Sequence, residues 1–446
     1  MKVNKPDPSR AQSAVKQALY IGSRQKALPT YVSQQLNLSK LTKELSVSMN
    51  RFLGLKENIP LTIDTLNKVQ GKFWSGQTDI QEKFCLQLWE IVKPLVEKYL
   101  REHPSKEFRN NGDKSKLRPV VFSPWEGLDV VIELKKEKNR LIPNSLHVNA
   151  GGSSINVARA LSMLGTNFEL VGLLGNSSIG KMVAKALETE GINPKELIPS
   201  NRDSKLHLST PINHNEYWLV SQKEETSVED LDNLTDKLFV ACKKNEKEIL
   251  SLGVRPLPGA PENYMSEITK TSQDKYGMFA IYDPKLKTIS KEYFESVLQA
   301  GPSMIKPNIF ELAQVIDSDP KTLREDKGSI VHAAQELIKK YDMKMVLVSM
   351  DKDGALLVDK KRAAYAVAPP IKVASPGCAG DTGIAAIIDR SKQQNILLTK
   401  LTNNQMKDLV SAFVAGGAAT AMKPGSNIAT LEEVQKLEKE VKVKLL

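Results

Sequence analysis

The sequence predicts an α/β fold: a mostly parallel sheet between two helical layers, a small separate β-sheet, and an all-helical segment ahead of both. Three observations carry this reading. From about residue 119 onward, short β-rich runs alternate with helical segments, the pattern that buries a parallel sheet under helices on both faces. Two stretches, "LDVVIELKKEKNRLI" from Leu128 and "SKLHLSTPINHNEYWLVSQ" from Ser204, instead suit strands of a separate layer, the second with a turn near Asn213. Residues 1–118 hold 21 Lys and Arg against 11 Asp and Glu, whereas the rest of this +11 chain is almost balanced.

A length of 446 residues implies two units. The polar, turn-rich stretch "EFRNNGDKSKLRP" (Glu107 to Pro119) marks the seam, giving a helical extension over 1–117 and an α/β domain over 118–446. Within the latter, the separate strands fall at about 128–148 and 205–222 and read as a lid. Hydrophobic content of 41% supports a real core, and no apolar run is long enough to span a bilayer. The start lacks the apolar core of a secretory signal, and Cys85, Cys242 and Cys378 have no metal-ligand spacing. These features predict a cytoplasmic protein. The first 43 residues, with eight basic side chains and only Asp7 acidic, are also compatible with an organelle transit peptide. Solvated lysine faces account for most such basic excesses, so nucleic acid is a weak second reading of the front.

Taken in order, amphipathic stretches near 10–20, 33–53 and 62–75 precede "TDIQEKFCLQLWEIVKPLVEKYL". That segment places Ile80, Phe84, Leu88, Ile91 and Leu95 on one helical face and carries Pro94 inside, which predicts a kink. Strands follow at "PVVFSP", "NFELVGLLG", "KEILSLGV", "YGMFAIYD" and "MKMVLVSM", and helices at 154–165, 178–190, 261–276, 329–341, 380–391 and 404–422. Trp74, Phe84, Trp89 and Leu95 give the front more apolar surface than a short helical array buries alone. It is therefore expected to dock on the α/β body, yet to be removable at about Leu117.

Four motifs carry chemistry. In "SPGCAGDTGIAAI", the small residues Gly377, Cys378, Ala379 and Gly380 precede Asp381 and an apolar run. Locally, Asp381 is a helix cap; functionally, the same bare helix N-terminus is an anion site with a carboxylate at its rim, able to take a proton from a hydroxyl. "NAGGSSINVARALSMLG" sets Gly151 and Gly152 before a helix with Asn156 on its first turn. "KPNIFEL" is a strand end followed by a helix, with Lys306, Asn308 and Glu311. "VSMDKDGALLV" is a strand that includes Ser349, a turn through Asp353 and Gly354, and a second strand. Singly, the last three read first as a tight turn, a helix start and a β-hairpin, respectively.

In order and spacing, these motifs resemble the PfkB (ribokinase-like) family of carbohydrate kinases, nearest its 1-phosphofructokinase and tagatose-6-phosphate kinase branch. "FSPWEGLDVVIEL" and "VAGGAATAMKPGS" are similar to two further segments of that branch, and the resemblance covers residues 119–446. It implies a three-layer α/β/α fold with a small β-sheet lid, and an ATP-dependent kinase acting on a sugar or sugar phosphate with Mg²⁺. It implies Asp381 as general base, with the amides of Ala379, Gly380 and Asp381 neutralising the developing charge and Cys378 adding a side chain beside that anion hole. Asp129, Gly151, Gly152 and Asn156 would line the sugar. Lys306, Ser349, Gly354, Gly425 and Ser426 would sit at the nucleotide, and Asn308 and Glu311 would hold the metal and its waters. A homodimer through the lid strands is a further expectation.

The departures from the family pattern are specific. Ser153 and Ser154 stand where the branch has Lys-Gly, and Cys378 replaces a glycine of Gly-Ala-Gly-Asp. Asp351 replaces a glycine after "VSM", and "SLGVRPLPG" only loosely matches its counterpart. Arg255 and Lys205 are the candidates to replace the missing phosphate contact. Together the changes support an alternative, a catalytically weakened kinase-like protein that binds or scaffolds.

Overall fold

In the computed structural model the described residues are 38–55, 60–75, 78–108, 116–124, 126–137, 140–212, 215–221, 225–253, 255–284 and 289–446. The stretch expected near 10–20 and the turn near Asn213 lie outside them. The strands in chain order are β1 (Val120–Ser123), β2 (Gly127–Glu137), β3 (Arg140–Gly151), β4 (Glu169–Gly175), β5 (Ile198–Ser200), β6 (Lys205–Ile212) and β7 (Asn215–Val220). They continue as β8 (Ile249–Gly253), β9 (Phe279–Asp283), β10 (Met304–Ile305), β11 (Met345–Ser349), β12 (Ala355–Asp359), β13 (Ala363–Val367) and β14 (Lys442–Leu445).

Among the described residues, ten of these strands form one sheet in the order β14-β13-β12-β11-β10-β9-β8-β1-β4-β5. Every pairing from β11 to β5 is parallel, and β12, β13 and β14 add an antiparallel edge. The chain leaves β1 toward β4 and β5, then returns to the other side of β1 with β8. This reversal opens a crevice beyond the carboxyl ends of β1 and β8, where ligands bind in open α/β sheets.

Period-two alternation decides which core each residue joins. Val121 faces one hydrophobic core, while its neighbours Val120 and Phe122 face the other. The first core is closed by α4 (Ser153–Leu164), α5 (Ser178–Thr189), α12 (Ala379–Gln393), α13 (Asn403–Ala421) and α14 (Leu431–Glu438). The second is closed by α6 (Val228–Lys244), α7 (Tyr264–Tyr276), α8 (Lys291–Gln299), α9 (Ile309–Val315), α10 (Pro320–Glu325) and α11 (Lys327–Lys340). Six of these match the expected helices to within three residues. Helix α6 was not foreseen, although Ser227 caps it by accepting from Asp230 N and Glu229 and Asp230 lie in its first turn. Its apolar stripe is diluted by polar residues, and its position over the sheet supplies the burial.

The strands β3-β2-β6-β7 form the separate lid sheet. Its register pairs Asp129 with Asn149 and His207, and Val130 with Val148 and Leu208. One face is therefore polar and the other apolar. Three front helices, α1 (Leu38–Leu53), α2 (Ile63–Ser75) and α3 (Thr78–Glu102), cover the apolar face. Leu45, Val69 and Val92 meet Ile132, Leu208 and Leu219 there, and the two sets of side chains belong to one core. The backbone joins too, since Leu141 N donates to Leu61 O at 2.8 Å.

This corrects the expectation of a removable front, because apolar contact across the seam is extensive. The apolar lid face is covered from within the same chain. Helix α3 runs unbroken through Pro94. Arg51, Lys68, Lys72, Lys83 and Arg101 point outward. No helix among the described residues is long and apolar enough to cross a membrane.

Candidate active site

The C-terminal ends of the parallel strands bring the candidate residues together. Asp381 sits in the first turn of α12, 5% exposed, and its Oδ2 accepts from Asn156 Nδ2 of α4 at 2.9 Å. The α12 ladder begins with Thr382 N donating to Cys378 O, so the amides of Ala379, Gly380 and Asp381 lie ahead of it at the positive helix end. Gly380 keeps this space open: a Cβ there would stand 3.2 Å from Lys306 Nζ, close enough to make the ammonium shift. The Lys306 ammonium, at the end of β10, pairs with Asp283 at the end of β9 at 2.8 Å, both side chains 5% exposed. A bare amide terminus and a buried ammonium thus border the same space, a donor set that fits phosphoryl oxygens.

Beneath Asn156 lies a buried network. Arg159, fully buried, donates to Asn156 Oδ1 at 3.0 Å, to Ser426 O at 2.9 Å and through Nη2 to Glu190 Oε1 at 2.6 Å, with its Nε on Glu190 Oε2. The carboxylates of Glu190 and Asp129 hold this guanidinium charged despite the burial that opposes its charge.

The polar lid face closes the other side. Asp129 stands 3.3 Å from His207 Nδ1 and accepts from Ser426 Oγ at 3.1 Å. Burial pushes the Asp129 carboxyl up, but His207, Arg159 and Ser426 outweigh it and hold the pKa below the usual range. A Cβ on Gly151 would stand 2.2 Å from Asp129 Oδ1, so only glycine fits there. Gly152 takes φ 112° as the N-cap of α4 without a side-chain cap. Lys205 pairs with Gly127 and lies on the same sheet face as His207. Arg255 follows β8; burial lowers its pKa and the nearby Asp381 charge raises it, so the guanidinium and the carboxylate lie within electrostatic reach.

Several expected residues have local duties. Asn308 and Glu311 form a reciprocal capping box on α9, each side chain accepting from the other's backbone N at 2.9 Å. Ser349 N donates to Pro307 O, tying β11 to the Lys306 segment. Gly354 takes φ 92°, and a Cβ there would strike Ala366 O at 1.9 Å. Gly425 and Ser426, expected at the nucleotide, lie against the lid: Gly425 packs near Val131 and His147, and Ser426 meets Asp129. The Cys378 thiol is turned toward Ser426 O at 3.8 Å, and burial pushes its pKa up. Asp351 and Asp353 are both paired with Arg324 of α10, which offsets the charge that Asp351 brings to this loop.

Residues 128–433 match the family described as pfkB family carbohydrate kinase, about two thirds of the chain. The chain belongs to this family. It is therefore a carbohydrate kinase by class, a phosphotransferase. The 1-phosphofructokinase of Borreliella burgdorferi is 25% identical over 319 residues, covering 71% of this chain and 95% of that protein. A tagatose-6-phosphate kinase of Staphylococcus epidermidis is 22% identical over 295 residues, covering 66% of this chain and 88% of that protein. The phosphofructokinase-2 of Escherichia coli in complex with substrates and products aligns with a TM-score of 0.59 at 22% identity, over 73% of this chain and 99% of that one. The likeness establishes the ribokinase-like fold.

Against this pfkB fold, the sequence reading missed Arg159, Glu190, Asp283, His147 and His207. Asp283 was findable as the acidic end of the run "YGMFAIYD", since strand ends line the crevice. Arg159 was findable as a lone cation three residues after Asn156, one turn along the same face. Glu190 and the lid histidines carried no local signal, because their neighbours come from distant parts of the chain.

Proposed function

We propose that this chain transfers the γ-phosphoryl group of ATP to a hydroxyl of a sugar phosphate, with a hexose phosphate as the preferred acceptor. The observation that carries the reading is the juxtaposition of Asp381, Gly380 and Lys306 at one helix terminus. Asp381 accepts the hydroxyl proton while Asn156 orients its carboxylate. The amides of Ala379 and Gly380, with Lys306, stabilise charge that develops on the transferred group. Asp129 orients the sugar by accepting from its hydroxyls, and closure of the polar lid face excludes water.

MgATP supplies the phosphoryl group and a divalent charge when bound. Among the described residues no cluster of three or more His, Cys, Asp and Glu could hold a metal. Magnesium commonly takes few protein ligands and several phosphates and waters, so the Asn308 and Glu311 pair fits as a partial, water-mediated contact. Arg255, within reach of the Asp381 charge, and Lys205, on the lid face of His207, are the side chains proposed to receive the acceptor's phosphate, and the names of the relatives point to phosphorylated sugars. The absence of a lysine at Ser153–Ser154 favours a second reading, a weakened kinase retained for binding.

ATP consumption measured with a panel of hexoses and hexose phosphates separates the two. Asp381→Asn keeps size and hydrogen bonding but removes the proton acceptor, so kcat falls by roughly 10²–10⁴ while ATP still binds. Wild-type turnover in that variant would sink the mechanism. Arg255→Ala raises KM for the sugar phosphate by roughly 10- to 100-fold, the worth of a charged hydrogen bond. An unchanged KM makes an unphosphorylated sugar the better acceptor.

A further inference from the structure

Behind the catalytic groups, between the helical front and the kinase body, lies a cavity of about 200 Å³. That is many times the roughly 10–15 Å³ needed by one water, yet below the ~300–1,000 Å³ of a drug-sized pocket. Tyr99 of α3, with His103 and Lys106 just beyond its end, forms one wall, and Asn149 of β3, Glu190 and Lys423 form the other. The wall from the front is fixed in place. Lys106 N donates to Glu188 O at 2.9 Å, Ser105 Oγ to Glu188 Oε2 at 2.9 Å, and Tyr99 stacks on His103 at 3.9 Å.

The polar inventory of the cavity is unbalanced in a way that specifies a ligand. Asn149 is 5% exposed and spends its amide N–H groups on Glu190 and Asn427, while its Oδ1 has no partner. A buried acceptor left unmade costs about 1–3 kcal/mol, so this atom calls for a donor. Both Glu190 oxygens are engaged by Arg159, and Lys423 is paired with Glu433. Lys106 forms no ion pair among the described residues and stands at the rim. A ligand that satisfies the site carries a hydroxyl to donate to Asn149 Oδ1 and an anionic group for Lys106.

We propose that this cavity is an effector site for a small hydroxylated anion, a carboxylate or phosphate ester with a free hydroxyl. Occupancy reaches the catalytic centre by direct contact. Asn149 holds Glu190, Glu190 holds Arg159, Arg159 holds Asn156, and Asn156 holds Asp381. Asn149 also lies two residues before Gly151 on the strand that lines the sugar. The effect on turnover rests on the kinase reading above; the binding does not.

Calorimetry on the full chain with 3-phosphoglycerate as probe tests the site, with glycerol and sulfate as single-function controls. We expect 3-phosphoglycerate to bind at least about tenfold more tightly than either control. Lys106→Ala and Asn149→Leu each weaken binding by about tenfold or more, and Arg255→Ala leaves it unchanged. Lys106 is exposed, so its replacement leaves the fold intact. Turnover at saturating ATP and sugar phosphate changes at least about twofold on adding the probe, and Lys106→Ala removes that change. No binding to the wild type overturns the site, as does binding that survives both cavity variants or is lost in Arg255→Ala. Binding through Lys106 without any change in turnover overturns the effector role. If no sugar is phosphorylated, the kinase reading fails while the calorimetry still decides the site.

Discussion

Cys378 shows how one residue reconciles conformation with chemistry. It takes φ 61° and ψ −5° as the N-cap of α12, a left-handed conformation that a non-glycine residue adopts at about 1–2 kcal/mol. Glycine would remove that strain but would enlarge the unfolded ensemble, worth about 0.4–1 kcal/mol, and would lose the packing of the thiol. These effects nearly cancel. Cys378→Gly is expected to unfold within about 1 kcal/mol of the wild type in urea, whereas Cys378→Val loses about 2 kcal/mol because a β-branched side chain resists positive φ. A Cys378→Val variant as stable as the wild type would show that the helix start relaxes out of this conformation. The thiol points at Ser426 O, so the departure from glycine leaves the amides of Ala379 and Gly380 open.

At the scale of elements, the lid is hinged on a buried ion pair. Glu126, just before β2, accepts from Arg202 at 3.0 Å, Ser204 Oγ at 2.8 Å and Gly175 N at 3.2 Å. Burial raises the Glu126 pKa, and Arg202 and the hydrogen bonds oppose that rise. One ion pair therefore clamps the entries to both β2 and β6 onto the end of β4. Glu126→Ala removes the buried carboxylate that faces the Arg202 charge, which costs about 3–5 kcal/mol. Chemical unfolding should show that loss; a loss under about 1 kcal/mol would mean that water reaches Arg202 and the hinge is not buried in solution. The two faces of the lid follow from its register alone, since a slip by one residue would exchange Asp129 and His207 for Val130 and Leu208.

For the whole molecule, the front helices and the kinase body share one hydrophobic core. Removing residues 1–117 uncovers Ile132, Leu134, Leu208 and Leu219 on the lid. Burying side chains of this size contributes about 1.5–3 kcal/mol each, so a bare lid face is a strong drive to associate. The truncated chain is expected to self-associate or precipitate where the full chain does not, as read by light scattering after size exclusion. A soluble truncated monomer that melts with the full chain would show that the helices contribute no stability to the lid.

How much of this was legible in the residues follows from the range of the forces involved. Alternating strands and helices, the glycine-rich turns before α4 and α12, and the placing of Asp381, Asn156 and Lys306 could be read from the sequence. Each depends on local periodicity, on backbone freedom at bare positions, or on motifs contained in a dozen residues. What only the tertiary structure decided are the contacts between distant segments. Examples are Arg159 on Glu190, Asp129 beside His207 and Ser426, Lys306 on Asp283, and the front helices on the apolar lid face. The amphipathic pattern of α3 shows that its apolar face needs a partner, but periodicity is a property of one element. Which surface meets that face depends on the shape and register of the lid that the rest of the chain builds.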